Sequence, residues 1–373
     1  GPNAVKAIQL LGLENAYQRI ADSSPAPFED VWFEWRRGSD DTYLTASLAP
    51  GVGQSSVHRA DFLAAIVAHL PEGIAHFGKR CIDVKQDADS ATASFDDGTH
   101  FTGDVIIGFD GIKSAVRPHV LPPEQYGEIT PFWSGTYAYR GMIPTRELEA
   151  ALEAKGSEKR LAWVPQMYLG KDRHILTFPV KQSQLVNVVA FITDRSIPNP
   201  KLSEGEAWVQ AVSQAEMLDV FAGWSPACQA ILGCIAEPTR WALHELPELA
   251  RYQRDRVLIV GDAAHALVPH QGAGAGQALE DAYVLATLLV DASCHRHNVS
   301  DVLATFEQVR HARTCKVQRT SHEAGDVYEY AGVGIGSDEA KLIENLEKRF
   351  DWLWNHDPHD DVLSARKALG LDN

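Results

Sequence analysis

The pentapeptide RVLIV at 256–260 and the stretch GDAAHALVPHQGAGAGQALEDAY at 261–283 constrain the fold more than any other part of this chain. The apolar run reads as a strand covered on both faces. Gly272, Gly274 and Gly276 then lead into a helix with Leu279, Ala282, Ala286 and Leu289 on one face. Strand, glycine-rich connection and helix form the unit in which open α/β sheets bind ligands at a strand's carboxyl end. Asp262 stands at that end, where a carboxylate accepts hydrogen bonds from ribose-like hydroxyls. The glycines let backbone amides approach a ligand, and the helix N-terminus brings free N–H groups and partial positive charge. For this segment alone, a tight connection with small packing residues is the other reading. Phosphate-binding loops ordinarily open a nucleotide domain, whereas this one comes late.

The remaining pattern divides the chain. Val5, Ile8, Leu11 and Leu13 suggest a first amphipathic helix, and HRADFLAAIVAHLPEG (58–73) a second, with Leu63, Ile66, Val67 and Leu70 on one face and Pro71 and Gly73 as its stop. ATASFDDGTHFTGDVIIGFDG (91–111) reads as a hairpin turning at Asp97-Gly98, then a covered strand at 105–107. Strands follow at 134–144, 161–170, 174–180 and 185–192, the last two joined by a polar turn and apolar on both faces. From Gln277 the chain is largely helical, ending in a helix over 341–357. The expected fold is a mixed α/β and α+β architecture. A Rossmann-like unit (1–127 and 245–310) is interrupted by an antiparallel-sheet unit (128–244) and closed by a helical region (311–373).

Net charge bounds the partners. At −16 over 373 residues, the chain lacks the positive surface that nucleic acid or an anionic membrane requires. A small anionic substrate then needs a local basic pocket. Cys81, Cys228, Cys234, Cys294 and Cys315 are odd in number and scattered. They suggest neither a disulfide framework nor a zinc site, so no metal is expected and a cytoplasmic setting fits. No apolar run reaches the roughly 18–20 residues that span a bilayer.

Two further constellations complete the reading. DVIIGFDGIKSAVR (104–117) is again a strand followed by a carboxylate, Asp110, with Gly111; a turn and helix cap is the simpler alternative. Arg59 in HRADF stands in a helix's first turn against the dipole preference, a conflict that a phosphate would resolve; a solvated surface arginine is the alternative.

In this order and spacing the motifs resemble the flavin-dependent aromatic hydroxylases with a p-hydroxybenzoate-hydroxylase-like fold. The resemblance makes 1–127 and 245–310 an FAD-binding domain and 128–244 a substrate domain. It implies that Arg59 contacts the FAD phosphates, that Asp110-Gly111 with Ser114 and Arg117 serves FAD and NAD(P)H, and that Asp262 holds the ribityl chain. Pro269, Gly272, Ala273 and Gly274 would lie against the isoalloxazine ring. FEQVRHARTCKVQ (306–318) is similar to the family's helix with two spaced arginines, Arg310 and Arg313. The likeness is stronger still to members that act on salicylate, and VWFEWRRGSD, YRGM, VPQMYLG, HILTFPV, NVVAFITDRS, PHQGAGAGQ and FDWLWNHD spread it over nearly the whole chain. Two departures stand out. The family's opening GxGxxG strand and helix has no counterpart after Gly1, so the sequence is expected to be a fragment. Phe109 stands where a small residue is usual.

The implied chemistry is the reduction of FAD by NADH and the addition of O₂ to form a hydroperoxyflavin. Hydroxylation at salicylate's carboxyl-bearing carbon then releases CO₂ and leaves catechol. The protein must bind a carboxylate, help ionise a phenol and exclude water. His270, beside the flavin-facing glycines, is the expected catalytic residue at the phenol, with helix capping as its alternative. His265 is expected to be structural. His174 and Arg195 are candidates for the carboxylate, although a surface arginine is as good a reading of Arg195. Trp163, Tyr168 and Phe191 could shape a pocket or simply pack. The expected assembly is a monomer or homodimer. The alternatives are a related hydroxylase acting on another hydroxylated aromatic acid, or a non-catalytic relative with a binding or scaffold role.

Overall fold

The computed structural model describes residues 1–122, 129–198 and 200–371; the expected boundary at 127/128 lies outside them. An eight-stranded sheet dominates, in the order Val209–Ala211, Thr239–Glu245, Phe132–Pro144, Leu185–Thr193, Arg173–Val180, Gln166–Gly170, Val31–Arg37, Tyr43–Leu48. Every pairing in it is antiparallel except Val31–Arg37 against Gln166–Gly170. The sheet therefore takes two strands from the segment before residue 122. A smaller sheet carries Gln253–Arg254, Val257–Ile259 and Ile106–Gly108, the last two parallel. A third holds Cys81–Gln86, Ala91–Phe95 and His100–Gly103.

Period-2 alternation explains why the central strands are apolar throughout. Val188 and Ala190 enter one core with Leu148, Leu152, Met217 and Ile231 from the helices Thr145–Ala154, Gln214–Val220 and Pro226–Gly233. Val189 and Phe191 enter the opposite core with Trp35, Met167, Tyr328 and Phe350. Both faces are covered, as the sequence pattern requires. A separate core surrounds Val257–Ile259 and includes Val284, Leu288, Leu303 and Phe306. The helix Val299–Tyr328 contributes to two of the three cores.

Several elements differ from the sequence reading. The strand expected from residue 161 begins at Gln166; Lys159–Ala162 is a 3₁₀ turn and Pro165, which lacks an N–H, precedes the strand. The strand at Ile106–Gly108 is the edge of its sheet, and its isoleucines are only half-buried. The helix Arg59–Val67 forms, but Leu63, Val67 and Leu70 remain exposed. The C-terminal helix is divided into Glu339–Lys348 and Asp351–Trp354.

The helix Gly274–Leu289 buries a face other than the apolar one expected. Gln277, Glu280, Asp281, Val284, Leu285 and Leu288 point inward, while Ala286 is exposed and Leu279, Ala282 and Leu289 are half-buried. The acids can be inside because cations meet them. The fully buried Arg310 contacts Glu280 and Asp281, each at 2.9 Å, and Asp361 at 2.8 Å, and donates to Gln277. Arg313 adds a 2.7 Å contact to Glu280, and His265 Nε2 lies 2.7 Å from Asp281. Those two carboxyls are held below their ordinary range: burial pushes them up, and the neighbouring cations and hydrogen bonds outweigh it. His265, Arg310 and Arg313 thus serve the fold.

Candidate active site

Two strand ends make the first half of the site. Val257–Ile259 pairs in parallel with Ile106–Gly108, with Ile259 opposite Gly108. Asp262 and Asp110, far apart in sequence, therefore leave neighbouring strands in the same direction. Gly261 makes the exit turn at φ 58°, a conformation that side chains rarely adopt. Asp262 heads the short helix Asp262–His265 with its carboxylate exposed. Asp110 accepts from the N–H groups of Ala115 at 2.7 Å and Val116 at 3.1 Å, and Ser114 Oγ accepts from Arg117 N. This is the cap geometry that the sequence left open. Arg117 is buried and donates to the carbonyls of Ala263 and Ile112, tying the two strand ends together. The Phe109 ring lies 3.9 Å from where a Gly261 Cβ would stand, between those ends.

The glycine-rich segment follows. Pro269–Gln271 form a 3₁₀ turn, Gly272 closes it at φ 61°, and Ala273 caps the helix from Gly274. The first N–H groups of that helix have no preceding carbonyl within it. Gly276 has a packing reason: its Cβ would meet Ala4 Cβ at 3.2 Å in the helix Pro2–Leu10. Arg59 is exposed in the first turn of its helix and has no protein partner among the described residues.

The second half is a cavity of about 460 Å³ against the large sheet. Trp35, Met167, Leu176 and Phe191 form its apolar floor, Tyr328 and Phe350 close it from the helical region, and Pro269, His270 and Gly272 form the side. His270 is 6% exposed, and its Nδ1 has no partner. Burial first, and the neighbouring His174 second, push its pKa down to about 3, so the ring is neutral. Gly325 makes room for it, since a Cβ there would stand 2.7 Å from His270 Cδ2.

His174 is fully buried, stacked on Phe191 at 4.2 Å and 5.2 Å from the His270 ring. Its Nδ1 lies 2.8 Å from Glu329, leaving Nε2 without a partner. Glu329 is held down to about 2, because His174 and Arg195 outweigh its burial. Arg195 does not reach the large cavity. Its guanidinium meets Glu329 at 2.6 Å, Asp326 at 2.8 Å and Asp172 at 3.1 Å. A cation shared by three carboxylates has no open fork for a fourth, so the expected carboxylate contact at Arg195 is not supported by its surroundings. Trp163 and Tyr168 pack in the core on the other side of the sheet, whereas Phe191 lines the cavity.

The sequence reading missed Arg140. It lines the cavity, has no carboxylate or hydrogen-bond partner among the described residues, and lies 5.0 Å from the Trp241 ring. Arg140 is exposed on its strand face, and partial desolvation of its guanidinium, with no acid beside it, lowers its pKa. Phe191 pairs with Ala138, which makes Arg140 its diagonal neighbour, about 7–8 Å away. A signal was present: Ala138, Arg140 and Met142 share one strand face, and the arginine interrupts an apolar stripe.

Known proteins match this geometry. A family model described as an FAD binding domain matches residues 229–321. A salicylate hydroxylase of Pseudomonas putida is 54% identical over 373 residues, covering 100% of this chain and 86% of that protein. The 6-methylsalicylate 1-monooxygenase of Aspergillus terreus is 36% identical over 367 residues, covering 96% and 79%. A solved salicylate hydroxylase substrate complex superposes with a TM-score of 0.94 at 45% identity, covering 98% of this chain and 89% of that one. The residues present fit a flavin. Asp262 offers an exposed carboxylate at a strand end, and Gly272 offers a left-handed turn with nothing nearer than 3.7 Å to a Cβ. The N-terminus of the helix Gly274–Leu289 offers unpaired N–H groups. On full-length identity and shared architecture, the chain belongs to the salicylate hydroxylase family of FAD-dependent monooxygenases.

Proposed function

We propose that this protein uses FAD, NADH and O₂ to hydroxylate and decarboxylate salicylate to catechol. The observation that carries the reading is one cavity holding a neutral histidine without a hydrogen-bond partner, His270, and a cation without a carboxylate or hydrogen-bond partner, Arg140, over an apolar floor. A phenol and a carboxylate on one small ring match that pair. FAD, once reduced by NADH, supplies the activated oxygen that amino-acid side chains cannot.

The chain's own residues do the rest. Arg140 receives the carboxylate by charge-assisted hydrogen bonds. His270, neutral, accepts the phenol's proton and raises the ring's nucleophilicity. Glu329 fixes the His174 ring beside it, with Arg195 neutralising Glu329 from behind. Trp35, Phe191 and Tyr328 keep the pocket dry. Asp262, Gly272, Ala273 and Gly274 hold the flavin with Asp110-Gly111 and Arg59. We assign 1–127 and 245–310 to the FAD-binding domain, apart from the strands 31–37 and 43–48 that join the large sheet, 128–244 to the substrate domain and 311–373 to the C-terminal helical region. We place the protein in the cytoplasm as a monomer or homodimer. The five cysteines are free, and no helix among the described residues is long and apolar enough to cross a membrane.

NADH oxidation by the FAD-loaded protein, measured across hydroxylated aromatic acids with catechol and CO₂ yields, tests this reading. Stoichiometric catechol and CO₂ from salicylate are expected. Fast NADH oxidation without catechol would sink the salicylate assignment.

A further inference from the structure

The strand Leu185–Thr193 faces the cavity with Asn187, Val189 and Phe191, alternate residues on one side of the sheet. From Leu185 to Ile192, Asn187 is the one polar residue, and strand interiors disfavour asparagine. It is 6% exposed. Its carboxamide has no hydrogen-bond partner among the described residues, and neither of its polar atoms is sealed from accessible space. Its cross-strand neighbours on that face, Met142 and Phe178, are apolar. A buried amide without a partner is costly, and here it opens into the cavity.

Register puts Asn187 in line with His270 and Arg140. Phe191, whose ring lies 5.2 Å from that of His270, stands at one end of the row. Val189 follows, paired with Arg140 on the neighbouring strand. Asn187 stands at the other end, four residues and about 13 Å from Phe191. Arg140 is therefore diagonal to both Phe191 and Asn187, about 7–8 Å from each. On the other side of Val189 the floor continues through Leu176 and Met167, which carry no polar group. A ligand that answers this arrangement carries its polar atoms along one edge and carbon along the other.

We infer that Asn187 is a specificity-determining residue: its amide N–H donates to the carboxylate oxygen farther from the phenol, so that His270, Arg140 and Asn187 meet the three oxygens of an ortho-hydroxy acid in order. The inference rests on the hydroxylase reading for its ligand and deepens it to how that ligand is oriented. The three oxygens span roughly 5 Å, and with a hydrogen bond of about 2.8 Å at each end the polar edge needs about 11 Å, inside the distance from Phe191 to Asn187. Arg140 supplies the charge, but a cation alone accepts a carboxylate in more than one rotation. The neutral donor beyond it fixes the far oxygen, and the hydroxyl is then left facing His270. The ring falls on the Leu176 side, where nothing competes for the polar edge. No bond is broken in this step.

The test measures the Kd of salicylate and of its neutral amide, salicylamide, for the oxidised FAD-loaded protein from the change in flavin absorbance on binding. Asn187→Leu replaces the amide by an apolar side chain of the same branching. It should weaken salicylate about 10–100-fold, the range for a hydrogen bond to a charged group, and salicylamide at least fivefold less than that. Asn187→Asp at pH 8 sets a second carboxylate beside the first. Salicylate should then bind more weakly than to Asn187→Leu, while salicylamide, whose N–H can donate to the aspartate, stays within threefold of wild type. A salicylate Kd within threefold of wild type in Asn187→Leu, equal weakening of both ligands in either variant, or loss of bound flavin in both variants overturns the assignment. None of these outcomes touches the hydroxylase reading, which stands or falls on catechol formation by the wild type. A wild type that shows the expected binding pattern without forming catechol upholds Asn187 and overturns the reaction, and a wild type that binds no salicylate overturns both.

Discussion

Four residues separate His265 from His270, yet the two belong to opposite kinds of interior. His265 is paired with Asp281 in a network where Arg310 meets three carboxylates and an amide. His270 is buried and Arg140 is exposed at the cavity, and neither has a hydrogen-bonding or ionic protein partner among the described residues. Unpaired buried polar groups are costly. The paired set behind the helix Gly274–Leu289 fixes that helix in place; the unpaired set in front of it has bonding capacity left for a ligand. Residue type alone does not separate structure from chemistry here, whereas the count of partners does.

The sharpest break of this contrast is Arg310→Leu. Removing Arg310 leaves Glu280 with Arg313 alone and Asp281 with His265 alone, and should cost about 3–5 kcal/mol in urea unfolding. A change below about 1 kcal/mol would mean that the network is not what fixes the helix. On the unpaired side, His270→Ala should lower catechol formation roughly 10²–10⁴-fold while bound flavin and melting temperature hold. Loss of flavin together with activity would move His270 to the paired, structural class. Arg140→Met should weaken salicylate binding by about 1.5–3 kcal/mol, the range for hydrogen bonds to charged groups. Binding of the neutral amide of the same acid should change little, and equal weakening of both would show a packing role.

The last effect is on pH. His270's folded pKa is lowered, so the unfolded chain takes up its proton first as pH falls. Stability from this group is complete above about 6.5, the ordinary histidine value, and is lost progressively toward about 3. Glu329, lowered to about 2, adds a loss in the same direction below about 4.3, the ordinary glutamate value. The His270 slope cannot exceed about 1.4 kcal/mol per pH unit for one proton. His270→Leu should flatten the stability curve between these limits in urea melts at stepped pH.

Much of the fold was legible in sequence because local rules and tertiary structure agree there. The hairpin strands Arg173–Val180 and Leu185–Thr193, apolar on both faces, are buried on both faces. RVLIV contains the buried strand Val257–Ile259, and Asp97-Gly98 makes its turn. The site was legible only in halves. Asp110 and Asp262 each read as a strand-end carboxylate, but their adjacency depends on a parallel pairing that no local pattern encodes. Arg195 looked available because its partners Asp326 and Glu329 arrive from a helix far along the chain. The inward face of Gly274–Leu289 was misread for the same reason: acids read as solvent-facing until the distant arginines that neutralise them are known.

The helix Val299–Tyr328 has thirty residues, which makes it about 45 Å long. Phe306 near one end belongs to the core around Val257–Ile259, and Tyr328 at the other belongs to the core beneath the cavity. Gly325 and His322 lie between those anchor points. A single rod seated in both cores makes their melting one event. The cofactor side and the substrate side should therefore lose order at the same temperature, and a probe in either core should report the stability of the whole.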